Sequence, residues 1–220
     1  MSQNLEEIWN ELTKDLPDEK NDWWFKIVEK LNDSKRKCHN LSYLEKKFAL
    51  YESVKHLIKN KAAVRFALFF SYFEYGPIIL NSHERNINHF QQFATECKIS
   101  QVCWDDSILY KDVVMLLQCT GSCITEEHKQ AGVYGCEDKH YFLDLDMVIL
   151  GSEPDVYAEY WDKEREEYDF LPVDMYNSLR VKVLRTFLLI PNIFATKEFR
   201  DKYEENARKN IQADVSLINE

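Results

Sequence analysis

The stretch FALFFSYFEYGP, residues 66–77, decides how the rest of the chain is read. It runs apolar without interruption, breaks at Ser71-Tyr72, and stops at Gly76-Pro77. Together with the alanines before it, the segment 62–75 is apolar on nearly every side. A helix of that kind is buried all round, so it is the expected centre of a helical core. Gly-Pro supplies the stop. The polar notch is either an ordinary break in a buried helix or the position of a reactive site.

Outward from this segment, apolar residues recur at spacings of three and four. Helices are expected over 4–16, 18–31, 39–58, from Ser82 onward, and over 106–119, 141–150, 155–170, 174–189 and 196–217. Asp18, Asp155, Asp174 and Thr196 read as N-caps. The segment 121–138, with its glycines and charges, reads as loop. Five Gly and five Pro among 220 residues are too few for a fold rich in β-turns. The expected fold is all-α: one helical domain over 1–220, with the helices of 155–220 packed on its core.

The net charge is −10, and the only basic tract is a short piece, KRK at 35–37. Recognition of a nucleic-acid backbone needs clustered cations, so it is not expected. The N-terminus is acidic and amphipathic, unlike a signal peptide, and no apolar run approaches bilayer length. A cytoplasmic protein without a membrane span is expected. Six cysteines form no Cys-x-x-Cys pair and read as reduced thiols.

Several residues could carry chemistry. His39 stands at the start of a helix, where it either ligates a metal or packs. Asp144 and Asp146 in FLDLDMVILG (142–151) lie two apart, about 200° round a helix, so one faces inward and the other solvent. An inward carboxylate is hydrogen-bonded, metal-bound or protonated. Glu84 falls in the first turn of the helix begun by Ser82, and Ser122 and Cys123 are nucleophiles without a neighbouring histidine in sequence. The acidic run DKEREEYD (162–169) reads as a solvated face.

Taken in order, these segments resemble the small, all-helical subgroup of the HD superfamily of predicted metal-dependent phosphohydrolases. The resemblance rests on Cys38-His39-Asn40, ALFFSYFEYGP, Ser82 to Ile87, Thr120-Gly121-Ser122-Cys123 against a Thr-x-x-His pattern, and FLDLDMVILG. In the tail it rests on Glu167-Tyr168, Tyr176 to Arg180, Val183 to Leu188, Ile193 to Thr196 and Ala207 to Asn210. It implies an HD-domain-like bundle whose metal makes a nucleophile of bound water. His39 matches the first ligand and Asp146 the last, with Asp144 its companion and Glu84 a further acid. The central His-Asp pair falls on Ser71-Tyr72, which replace both ligands. His39 and Asp146 alone are too few for a tight divalent site. The leading expectation is a non-catalytic protein without cofactor, keeping a pocket for a small phosphorylated ligand or nucleotide. One alternative is a phosphohydrolase with a rewired site, His39, Asp146, Glu84 and Cys123 holding a single zinc, manganese or iron. The other is a purely structural or interaction protein.

Overall fold

A computed structural model describes residues 4–99 and 108–218. Among them all regular structure is helical. The chain divides into two compact units, 1–121 and 122–220.

The first unit contains α1 (Leu5–Leu12), α2 (Glu19–Leu31), α3 (Leu41–Val54), α4 (Lys61–Phe70), α5 (Ser82–Glu96) and α6 (Ile108–Cys119). Three asparagines start helices by the same device. The side chains of Asn4, Asn40 and Asn60 accept backbone N–H bonds from Glu6, Tyr43 and Ala63, satisfying donors that a first turn leaves open. As its composition requires, α4 is the central helix, in contact with α3, α5 and α6. Its Phe66, Phe69 and Phe70 meet Trp9 from α1, Trp23 from α2 and Phe90 and Phe93 from α5, all essentially without solvent exposure. The rings meet edge-on or tilted, as at Trp9–Phe69 (5.1 Å, 83°), the arrangement their quadrupoles favour. The Trp23 indole N–H donates to Glu96 at 2.7 Å, so its polar edge is satisfied as well.

α4 ends at Phe70, five residues before the end expected from the apolar pattern. The Gly-Pro stop is not what ends it. Asn86 of α5 donates to the Ser71 carbonyl (2.7 Å) and accepts from the Glu74 N–H (2.6 Å). Arg36 donates to the carbonyls of Tyr72 and Phe73. Side chains from elsewhere thus take up the carbonyls that a further helical turn would have used.

The second unit contains α7 (Glu126–Lys129), α8 (Asp138–Met147), a 3-10 turn (Val148–Gly151), α9 (Pro154–Glu167), α10 (Val173–Leu189) and α11 (Lys197–Ile218). Asp155 and Asp174 fall inside first turns, where they favour the helix dipole rather than cap it; Glu153 and Pro172 hold the cap positions. α11 runs along α10 and the 3-10 turn. The approach is close enough that a Cβ on Gly151 would lie 2.5 Å from the Tyr203 carbonyl oxygen. The loop expected over 121–138 holds a short helix and a buried histidine, His128. The acidic run is not a purely solvated face: Glu167 is buried and Glu164 accepts from the Tyr176 hydroxyl at 2.6 Å. No helix among the described residues is long and apolar enough to cross a membrane.

Candidate functional site

His39, Ser71, Tyr72 and Glu84 belong to the first unit; Asp144, Asp146 and Cys123 belong to the second.

In the first unit His39 immediately precedes the Asn40 cap of α3, which turns its ring toward the end of α4. There the ring is stacked on Tyr72, with centroids 4.1 Å apart and planes 23° from parallel. Tyr75 lies at 4.0 Å and Tyr43 at 4.9 Å. Lys47, almost fully buried, places its ammonium over the Tyr72 ring at 4.8 Å from the centroid, a cation–π contact that helps retain the charge away from water. The cavity among these groups is about 10 Å³, room for about one water. Ser71 is buried, and its hydroxyl donates back to the Leu68 carbonyl at 3.2 Å. The two residues at the notch therefore serve packing: Tyr72 as a platform for His39, and Ser71 as the C-cap of α4.

Beside the notch, Glu74 accepts from Lys30 at 2.7 Å and meets the His89 imidazole at 3.1 Å. This carboxylate–histidine pair joins α2, α5 and the turn after α4. Glu84 is exposed in the first turn of α5, where its charge suits the helix N-terminus.

In the second unit Asp144 is fully buried while Asp146 is half-buried, the division their spacing implies. One oxygen of Asp144 accepts from the Ala195 N–H (2.8 Å). The other accepts from the Thr196 N–H (2.8 Å) and hydroxyl (2.6 Å). Asp144 thus caps α11 across 51 residues of sequence. Burial pushes its carboxyl up to about 7, against the pull of these donors. Cys123 sits half-buried with φ +54°, in the turn before α7.

Two buried histidines lie nearby that the sequence reading passed over. Both serve as the third helical residue of a capping box. Nδ1 of His128 accepts from the Thr125 N–H (2.9 Å), and Nδ1 of His140 from the Glu137 N–H (3.0 Å). This bonding assigns the ring proton to Nε2 in both. Nε2 of His140 donates to Glu127 at 3.0 Å; Nε2 of His128 is buried with no protein partner among the described residues. The Thr125 hydroxyl and His140 hold the Glu127 carboxyl down to about 2. Burial, and after it the neighbouring His140 and Arg200, lowers the His128 imidazole below its usual value. Gly135 makes room for this arrangement, because a Cβ there would lie 2.4 Å from the His140 ring. The sequence signal was present. Thr125-Glu-Glu-His128 is a Thr-x-x-His run five residues beyond the segment aligned to that pattern.

These side chains do not suit the metal that the resemblance implies. A metal ligand needs an open lone pair. His128 and His140 have committed Nδ1 to a backbone N–H and carry the proton on Nε2. Asp144 turns its oxygens to three donors at the start of α11, and the His39 ring is packed between Tyr72 and Tyr75. Within each unit, among the described residues, no three His, Cys, Asp or Glu side chains converge as a metal site. Compared with known proteins, the chain matches no family model, no curated protein and no solved structure.

Proposed function

We propose that this is a non-catalytic helical binding or scaffold protein, built on a fold like that of the HD phosphohydrolases and working in the cytosol. The observation that carries this reading is the Tyr72 ring stacked on His39. In this reading Tyr72 stands where the resemblance puts the ligand pair, and the imidazole lies in an aromatic stack above a buried lysine. The remaining signature residues also have structural duties. Asp144 caps α11, Asn210 donates to the Leu150 and Ser152 carbonyls of the 3-10 turn, and Arg208 donates to those of Ile190 and Pro191. In this reading the resemblance is to the scaffold of the hydrolases, and the chemistry is absent. A cavity for one water beside His39 does not take a phosphoryl group.

The test is elemental analysis of untagged protein prepared without chelator, together with a panel of phosphomonoesters, phosphodiesters and nucleotides. The expected result is less than a stoichiometric transition metal and no turnover beyond background, with or without added zinc or manganese. About one metal per chain, lost in His39→Ala or Asp146→Ala, overturns the proposal in favour of a rewired hydrolase.

A further inference from the structure

Residues 125–136 are held to the second unit by a few polar ties. The His128 carbonyl accepts from the Asn192 N–H (3.1 Å), and the Asn192 side chain donates to the Glu127 and Gln130 carbonyls (2.8 Å each). The Gly135 N–H donates to the Ala195 carbonyl (2.9 Å), and Arg200 of α11 donates to the Val133 carbonyl (2.9 Å). Apolar burial adds almost nothing, since His128 and Gly135 alone are buried in this segment. A segment anchored in this way opens at low cost. The start of α7 depends on one further bond, from the Thr125 N–H to Nδ1 of His128.

An imidazole that carries its proton on Nε2 takes a second one at Nδ1. In His128 that proton would face the Thr125 N–H, donor against donor at 2.9 Å. The Thr125 hydroxyl, 3.0 Å from Nδ1, serves as acceptor only once that N–H has moved aside. The surroundings do not compensate the charge. Facing the ring are Glu127 on α7, His140 on α8, and Arg200 and Glu204 on α11; residues 192–196 add no titratable side chain. The Glu127 carboxylate is engaged by Thr125 and His140, and that of Glu204 by the Ile193 and Phe194 N–H groups and Arg208. Nε2 of His128 has no protein partner among the described residues. The closed segment therefore disfavours the imidazolium, whereas an opened one gives it to water.

We propose that His128 is an acid-operated latch: a proton at Nδ1 unfastens residues 125–136 from residues 192–195 and α11, while α8, α10 and α11 stay folded. The rest of the unit keeps its own anchors, among them the Asp144 cap of α11 and the buried Leu145, Leu184, Phe199 and Ile211. The direction follows from the lowered value of the closed imidazole. The opened segment takes up the proton first, so the latch is shut above about pH 6.5 and loosens as pH falls below it. Glu127, held at about 2, keeps its charge throughout and does not contribute to the response.

The test is amide hydrogen exchange of the full chain, read by mass spectrometry at about pH 7.5 and about pH 5.5 and corrected for the intrinsic effect of pH on exchange. Protection of residues 125–136 is expected to fall by up to about tenfold over this interval, the limit for one proton, while α10 and α11 change by less than about twofold. In His128→Gln, whose amide offers the same acceptor without a proton to gain, the fall is lost. Equal protection at both pH values in the parent overturns the proposal. So does a fall spread evenly over α8, α10 and α11, which is general unfolding, or one that persists in His128→Gln, which moves the trigger to His140 or Asp144. Should His128→Gln not fold, nitrogen NMR of the parent's imidazoles decides. His128 is expected to hold Nδ1 unprotonated at about pH 7.5 and to titrate below 6.5; a protonated Nδ1 at that pH, or titration at or above 6.5, overturns the latch.

Discussion

Tyr72 and His39 make one unit of packing, and replacing either tests that directly. Tyr72→Ala leaves the imidazole without its platform and should cost about 2–4 kcal/mol in urea unfolding. His39→Ala should cost about 1–3 kcal/mol by the same measurement. The sequence marked His39 as buried or metal-bound but could not choose, because the residue it stacks on lies 33 positions away. Asp144 was likewise legible as an inward acid, while its partners at 195 and 196 were not. His128 carries a prediction about pH. Its pKa in the folded chain is lowered from 6.5, so the unfolded chain takes up the proton first. Its contribution is intact above about pH 6.5 and is lost as pH falls through the folded value. Asp144 acts in the opposite sense. Its pKa is raised from 3.8 to about 7, so its contribution is present at low pH and fades as pH rises across that interval. His128→Gln supplies the usual capping-box acceptor without a titrating group and should flatten the loss of stability on acidification. Asp144→Asn should steepen it. Urea midpoints at about pH 7.5 and about pH 5.5 read both slopes.

At the scale of elements, the helices were legible and several of their ends were not. Apolar periodicity located the centre of α4 because every face of it is buried. It overran the C-terminus by five residues because the stop is made by Asn86 and Arg36 and is invisible in the local pattern. Asn86→Ala removes bonds at 2.6 and 2.7 Å that hold the turn after Ser71. It should cost about 2–4 kcal/mol in denaturant unfolding and speed amide exchange in residues 71–75. Where α11 crosses the 3-10 turn, Gly151→Ala sets a methyl against the Tyr203 backbone. The backbone cannot swing aside as a side-chain tip can. A loss of about 2–3 kcal/mol in thermal or urea unfolding is expected, while an exposed Ala substitution such as Glu205→Ala should be near neutral.

For the whole molecule, charge is the property that the sequence states directly. Residues 1–121 carry 17 acids and 16 bases, so almost the entire excess of −10 belongs to residues 122–220. The protein should bind an anion exchanger and pass through heparin at physiological salt, and duplex DNA or RNA should show no mobility shift at micromolar protein. Retention on heparin would point to a local cationic surface stronger than the composition indicates. The fold class was readable because glycine and proline are scarce and the apolar spacing is helical throughout. The division at Gly121–Ser122 was not readable, since no run of Gly, Pro or Ser marks it and the acidic excess of the second part begins only near residue 137.

The lysine beneath Tyr72 has a bearing on ancestry. If a hydrolase once stood behind this sequence, restoring two letters at 71 and 72 does not restore it. An aspartate at 72 would lie beside the buried Lys47, which now sits over the Tyr72 ring, and that cation would compete with any metal for its oxygens. A histidine at 71 would have to fit where a buried serine now closes the helix. The S71H/Y72D double variant is therefore expected to titrate with zinc or manganese no more tightly than the parent.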